Sequence, residues 1–222
     1  MKIEYALRLC GPKSVSLSGC KEPSPHTAYP QRRRQTAKGT SSPAGAPGDQ
    51  HDVLLALAVT QSHEALGLSL IYAKYNKDPG ERNKAIEGIA RYALTQAPKM
   101  ISQAAGLQRA HCMVLLAKMA VEAYSRTAED KAARCRCGGR GKVVDQAASR
   151  AAGATVEKVC PRCHGSGLKP LTSASAYKVI NTLIPELTQR TWSRNWKNFY
   201  DSLITRCHQE AAAAQSFFEQ IT

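Results

Sequence analysis

Four cysteines stand in two tight pairs, Cys135 with Cys137 and Cys160 with Cys163. Thiolates paired in this way chelate thiophilic divalent ions, and two pairs across a spacer of this order match a tetrathiolate zinc ribbon. Glycines follow each pair (Gly138, Gly139 and Gly141; Gly165 and Gly167) and permit tight positive-φ knuckles whose amides point at the sulfurs. Four thiolates leave no open coordination position. One structural Zn2+ held by Cys135, Cys137, Cys160 and Cys163 is therefore expected, and not a catalytic one. The first pair is Cys-x-Cys, a tighter chelate than Cys-x-x-Cys. His164 is the alternative ligand, but it directly follows Cys163 and would strain the knuckle. A redox role for the second pair would need a βαβ context, which the pattern lacks. Cys10, Cys20 and Cys207 are isolated and read as plain thiols.

The elements that must carry this centre follow from periodicity and punctuation. Two valine-containing runs, 142–145 and 155–159, predict a β-hairpin joining the knuckles within a module at 131–170. Upstream, Leu54, Leu55, Ala58, Val59, Ser62, Leu66, Ser69 and Leu70 recur at three and four residues, one helical face, with Asp52 as N-cap. A second helix is expected from Gly80 to Gln96 (Ala85, Ile86, Ile89, Tyr92, Ala93), broken at Pro98. A third is expected from Ile101 to Arg126, with Leu107, Met113, Leu116, Ala120 and Val121. These form a helical bundle at 51–130, in which His63, His111 and Cys112 read as packing or surface residues. Residues 11–50 are rich in Ser, Pro, Gly and Thr and carry Arg32, Arg33 and Arg34. They bury too little surface to offset their ordering entropy, so 1–50 reads as a flexible polar and basic arm.

After the module, 174–184 reads as a helix capped by Ser173, and Pro185–Leu187 as a turn of helix-turn-helix length. Thr188 then caps a longer helix from Gln189 to about Glu210. On it Trp192, Trp196, Phe199, Tyr200 and Leu203 share one face, so the tryptophans are core rather than base-stacking residues. The opposite face carries Arg190, Arg194, Lys197 and Asn198. Such a face can be merely solvated; Arg and Asn also read base edges, and Lys suits phosphate. The fold class is thus mainly α: a helical bundle, an inserted four-cysteine zinc-ribbon-like β-hairpin, and a helix-turn-helix-like element in 171–222 packing on the bundle.

The chain has 222 residues and a formal net charge of +14. Fourteen cations and four acids lie between Lys131 and Arg206, so most of that excess sits in one third of the sequence. A polyanionic partner is favoured. We take double-stranded DNA, contacted by Arg190, Arg194, Lys197, Asn198 and Lys178 with Arg134, Arg136, Arg140 and Arg162 of the module. No run nears the roughly 18 apolar residues of a membrane span, and a cytosolic location without a membrane partner is expected.

With these residues in view, the chain resembles the late-gene antitermination protein Q family of lambdoid phages, in its phage lambda-type branch. The resemblance is strongest from Ala133 onward. It rests on Ala133–Cys135, the Cys160-x-x-Cys163-x-Gly-x-Gly167 knuckle, Ser173–Tyr177, Leu183–Pro185, Leu187–Gln189, Thr191–Arg194 and Tyr200–Asp201. Weaker similarity reaches Asp52–Val53 and Gln61–Ser62. The family's first knuckle is one residue longer than the one in this chain. The resemblance implies a non-enzymatic transcription factor in the host bacterial cytoplasm. Such a factor binds a DNA element in the late promoter and engages paused RNA polymerase through the σ factor and the β flap. It then travels with the enzyme, making it resistant to pausing and termination. Apart from the resemblance, basic surface near emerging RNA makes nascent RNA a further candidate partner. Other classes consistent with the residues are a zinc-containing DNA-binding repressor or activator with no elongation role, and an RNA-binding or chaperone-like zinc module. No phosphate loop or nucleophile–base set points to an enzyme.

Overall fold

Prolines, glycines and capping residues cut the apolar sequence into helices, and the computed structural model, which describes residues 1–10 and 50–222, arranges these into one buried cluster. In chain order they are α1 (Ile3–Cys10), α2 (Gln50–His63), α3 (Ala65–Tyr75), α4 (Pro79–Gln96), α5 (Lys99–Ala105) and, after a 3₁₀ turn at Gly106–Gln108, α6 (Arg109–Tyr124). A small two-stranded antiparallel sheet follows, and then more helix to the end of the chain. The mainly helical class with a small sheet is as expected from the sequence.

Local chemistry explains most boundaries. Asp78 caps α4: its carboxylate accepts from the amides of Gly80 and Glu81, and Pro79 occupies the first turn, where a missing N–H costs nothing. Pro98 separates α4 from α5. The expected single helix from Ile101 to Arg126 is instead broken at Gly106, whose φ of +49° lies outside helical space, and this leaves Leu107 fully exposed.

Three further expectations differ from the structure. The stripe Leu54, Leu55, Ala58, Val59, Ser62 is not the core face: these side chains are exposed, and Val53, Ala56, Leu57 and Thr60 are buried. This helix is apolar on both sides, so periodicity alone could not choose between them. The smaller stripe faces inward, with the Thr60 hydroxyl satisfied by the Ala56 carbonyl at 2.8 Å. Asp52 lies in the first turn and not at the cap, because α2 begins at Gln50, and Glu64 interrupts the run before α3. Nor are the first ten residues part of an arm. Ile3, Ala6 and Leu7 of α1 are buried, and the Ile3 amide donates to Gln215 Oε1 at 3.0 Å. The remainder of the expected arm, with Arg32, Arg33 and Arg34, lies outside the described residues.

The C-terminal helical run is longer than its aromatic face suggests. It comprises α9 (Gln189–Thr191), a π-helical turn (Trp192–Trp196) and α10, which extends from Lys197 to Ile221. Beyond Glu210 the small residues Ala211 and Ala214, then Phe218, continue the buried stripe along α3. His63 and Phe217 stack with centroids 5.0 Å apart, His111 is exposed and Cys112 is fully buried, so all three have packing or surface roles.

The α3–α10 crossing is close because Gly67 meets the Glu210 carbonyl and Ala214. A Cβ at position 67 would overlap that carbonyl oxygen. Glycine to alanine in a helix ordinarily stabilises by up to about 1 kcal/mol. Here the sign reverses: Gly67→Ala is expected to destabilise by about 1–3 kcal/mol, read as a lower denaturant midpoint at unchanged slope. A midpoint equal to or above that of the unmodified chain would refute the close crossing.

Candidate metal centre and cationic surface

The sheet pairs β1 (Lys142–Val144) with β2 (Glu157–Val159) in the register Lys142↔Val159, Val143↔Lys158, Val144↔Glu157. Between the strands lies a short helix that periodicity did not announce, α7 (Gln146–Ala152). Its signals were present. Asp145 accepts from the amides of Ala147 and Ala148 as an N-cap, and Gly153 closes the end at φ +62°. Lys142–Glu157 (3.7 Å) and Lys158–Asp145 (3.2 Å) flank the strands as ion pairs.

The two knuckles are near-equivalent halves. The Cys135 amide donates to the Gly167 carbonyl and the Cys160 amide to the Gly141 carbonyl, both at 2.8 Å. The isolated bridge Arg134↔Leu168 is the counterpart of the Lys142↔Val159 pair. At the centre the backbones touch: a Cβ on Gly141 would overlap the Gly165 carbonyl, and one on Gly167 would overlap the Gly139 carbonyl. Each knuckle thus needs glycine where it crosses the other. The shorter first pair is absorbed in the turn between its cysteines. His164 N bonds the Cys160 carbonyl four residues back at 2.9 Å, whereas Gly138 N bonds the Cys135 carbonyl three residues back at 3.0 Å. The chelate loop loses one residue and its closure is kept.

These contacts bring together the Sγ atoms of all four predicted ligands, within 4.8 Å of one another; Cys135–Cys160 is 4.0 Å and Cys137–Cys163 is 3.8 Å. A tetrahedral ion with metal–sulfur bonds of about 2.3 Å sets sulfurs about 3.8 Å apart, so a modest contraction of the set would accommodate Zn2+. His164 is exposed, at φ +48°, and is not in the cluster. Amides of Cys163 and Arg162 directed at Cys160 bring its thiol down to about 7, while desolvation pushes Cys163 up to about 11. A divalent cation would hold all four as thiolates. Apart from these thiols only Val143 packs against the cluster, so this module has almost no core of its own.

The fold sorts the nominated cations. Arg136, Arg140 and Arg162 are exposed on the module, and Lys178 is exposed on α8 (Ala174–Leu183). Arg190 on α9, Arg194 in the π turn and Lys197 at the start of α10 are exposed as well. Among the described residues none of these seven forms an ion pair, whereas Lys142, Lys158 and Arg206 are each paired with an acid. Arg134 differs: Nε donates to the Ala128 carbonyl at 2.6 Å and Nη2 to the Glu129 carbonyl at 3.0 Å, so this side chain ties the module's entry strand to its own linker. Asn198 donates to the Arg194 carbonyl at 3.3 Å. Trp192 and Trp196 are 2% and 1% exposed and stack at 6.3 Å, in the core as expected. Thr188 accepts from the Thr191 amide, starting the second helix after the 184–187 connection.

Comparison with known proteins follows the same stretch of chain. A family model described as antitermination protein Q matches residues 129–215. Antitermination protein Q of Salmonella phage P22 is 36% identical over 174 residues, covering 77% of this chain and 84% of that protein. The proteins of the same name from Escherichia phage lambda and Escherichia phage HK022 are each 34% identical, with the same coverage.

Elemental analysis of the purified chain is expected to give one zinc per molecule. Cys160→Ser or Gly141→Ala should lose that metal and the amide protection of 131–170, while the far-ultraviolet signal of the helical body persists. Full metal occupancy in Cys160→Ser would remove the tetrathiolate assignment.

Proposed function

The chain belongs to the antitermination protein Q family and is a phage antitermination factor; from that premise we propose that it acts as a DNA-loaded modifier of RNA polymerase. One structural Zn2+ on Cys135, Cys137, Cys160 and Cys163 stiffens the 131–170 module, supplying the folding energy that its small core lacks. The module and the helix-turn-helix-like element of α8, the 184–188 connection and the α9–α10 run together grip a duplex element in the late promoter. The observation that carries this reading is that, among the described residues, Arg136, Arg140, Arg162, Lys178, Arg190, Arg194 and Lys197 on these elements are all exposed and form no ion pair. Unpaired surface cations release counterions when they meet phosphate, which drives binding to nucleic acid.

Within that surface the roles divide by chemistry. Arg190 and Arg194, on the exposed side of the π-interrupted helix, are the base-edge readers, because a planar guanidinium can bond guanine through two hydrogen bonds. Lys178, Lys197, Arg136, Arg140 and Arg162 hold phosphates and set the register. Asn198, with its amide nitrogen on the Arg194 carbonyl, braces that turn and offers its oxygen outward. The helical body at 51–130 is the part free to dock on protein, through σ and the β flap of paused polymerase. Basic surface beside emerging RNA would then disfavour hairpins in the exit path. The work is regulatory and takes place in the host bacterial cytoplasm; no described helix is long and apolar enough to cross a membrane.

The decisive experiment is run-off transcription from the cognate late promoter through a terminator. The chain should raise readthrough there and leave an unrelated promoter unaffected, and absence of any promoter-dependent readthrough would overturn the proposal. A DNA-binding repressor would bind the same promoter but bring down no polymerase. Arg194→Ala should weaken promoter binding by about 1–3 kcal/mol and leave random-DNA binding nearly unchanged. Equal losses on both DNAs would assign Arg194 to phosphate.

A further inference from the structure

The cysteine module and the helical body bury separate clusters that share no residue. Where the chain leaves α6 for the module lies a cleft of about 230 Å³, lined by Lys77, Arg82, Glu122, Ser125, Arg126 and Asp130 together with Ala73. Apolar packing therefore does not set the angle between the two parts, and polar contacts must. Three polar contacts to the segment that leads into the module come from one residue. Lys77, in the α3–α4 turn, has a φ of +56°; the only other non-glycine described residue with positive φ is His164 in the second knuckle. Lysine gains nothing intrinsic from left-handed backbone, so the surroundings must impose it.

What the conformation achieves is a three-point clamp. The Lys77 ammonium donates to the Ser125 carbonyl at 3.0 Å, to Thr127 Oγ1 at 3.4 Å and to Asp130 Oδ2 at 3.0 Å. All three acceptors lie on the segment leading from α6 into the first knuckle. Asp130 Oδ2 also accepts from the Thr127 amide and hydroxyl, at 3.1 Å each, and the Asp130 carbonyl receives the amides of Ala133 and Arg134 at 2.9 Å. The bonded path thus runs without a gap from the body's α3–α4 turn to the residue before Cys135. Lys77 and the Thr127 amide together hold the Asp130 carboxyl below its ordinary range. On the return strand, Arg126 Nη2 donates to the Lys169 carbonyl at 2.9 Å and Lys169 Nζ to the Ala132 carbonyl at 3.0 Å, closing the linker pair from the other side.

We propose that Lys77 is a positioning residue, fixing the angle at which the body presents the metal module so that the module's cations and those of α8–α10 reach one duplex together. The duplex clause rests on the function proposed above; the fixed angle does not. The test uses the zinc-loaded full chain and Lys77→Gly, since glycine accepts the left-handed backbone without strain. Residual dipolar couplings of backbone amides should fit a single alignment tensor for body and module in the unmodified protein. In Lys77→Gly two tensors should be required, with zinc content and melting temperature unchanged. Asp130→Asn, which removes the charge at the other end of the clamp, should act in the same direction and serves if the glycine variant fails to fold. Lys77→Gly should also lower the ratio of promoter to random-DNA affinity by about tenfold or more, while random-DNA affinity falls by no more than about twofold. A single tensor in both variants would overturn the clamp. Two tensors with an unchanged affinity ratio would overturn its role in DNA binding. A chain that never prefers promoter DNA would fail the earlier proposal, yet leave the tensor result decisive for the fixed angle.

Discussion

The backbone crossing at the centre of the cysteine module constrains everything built on it. Two chain segments approach so closely that each requires a glycine against the other's carbonyl, at Gly141 with Gly165 and at Gly167 with Gly139. That approach brings four sulfurs within 4.8 Å of one another, a set that could hold a metal ion. Val143 is almost the only apolar support of this cluster, so hydrophobic burial, on which larger folds depend, contributes little here. The exposed arginines of the knuckles, Arg136, Arg140 and Arg162, inherit their positions from that crossing.

The helical body works by a different physics. Alanine and glycine along α3, α6 and α10 let helices approach, and large side chains such as Ile89, Met113, Leu116, Trp196 and Phe218 fill what remains. Aromatic hydroxyls tie elements together where burial alone would leave them polar and unpaired. Tyr177 donates to the Leu187 carbonyl at 3.0 Å across the 184–187 connection, and Tyr200 to the Met119 carbonyl at 3.3 Å. The π turn at Trp192–Trp196 keeps both indoles inward while Ser193, Arg194, Lys197 and Asn198 remain exposed.

The cluster of four cysteines, the short sheet and the inward tryptophans were legible in the sequence because each rests on a local rule: cysteine spacing, paired valine runs, or a single strongly amphipathic face. Legibility failed where two answers satisfied the same rule. Val53, Ala56, Leu57 and Leu54, Leu55, Val59 are equally good stripes on α2, and the neighbours α1, α3 and α10 decide between them. It failed also where the partner lies far along the chain, as for Ile3 and Leu7 of α1, which pack on α2 and α3 while the Ile3 amide bonds Gln215 of α10, and which have no local signature. The nine-member DNA-contact set could be sorted only in three dimensions. Arg134 and Arg136 are two residues apart and chemically identical, yet one grips carbonyls of its own linker and the other is exposed.

The pairing of α1 with the far end of the chain has an outcome in time. The Ile3 amide meets Gln215 across 212 positions of sequence. During synthesis on the ribosome α1 can rest on α2 and α3 early, but its bond to Gln215 waits for α10, and so does the cover that α10 gives to α3 and α6. Closure of the body is then among the last events of maturation, after all four cysteines of the module have been made.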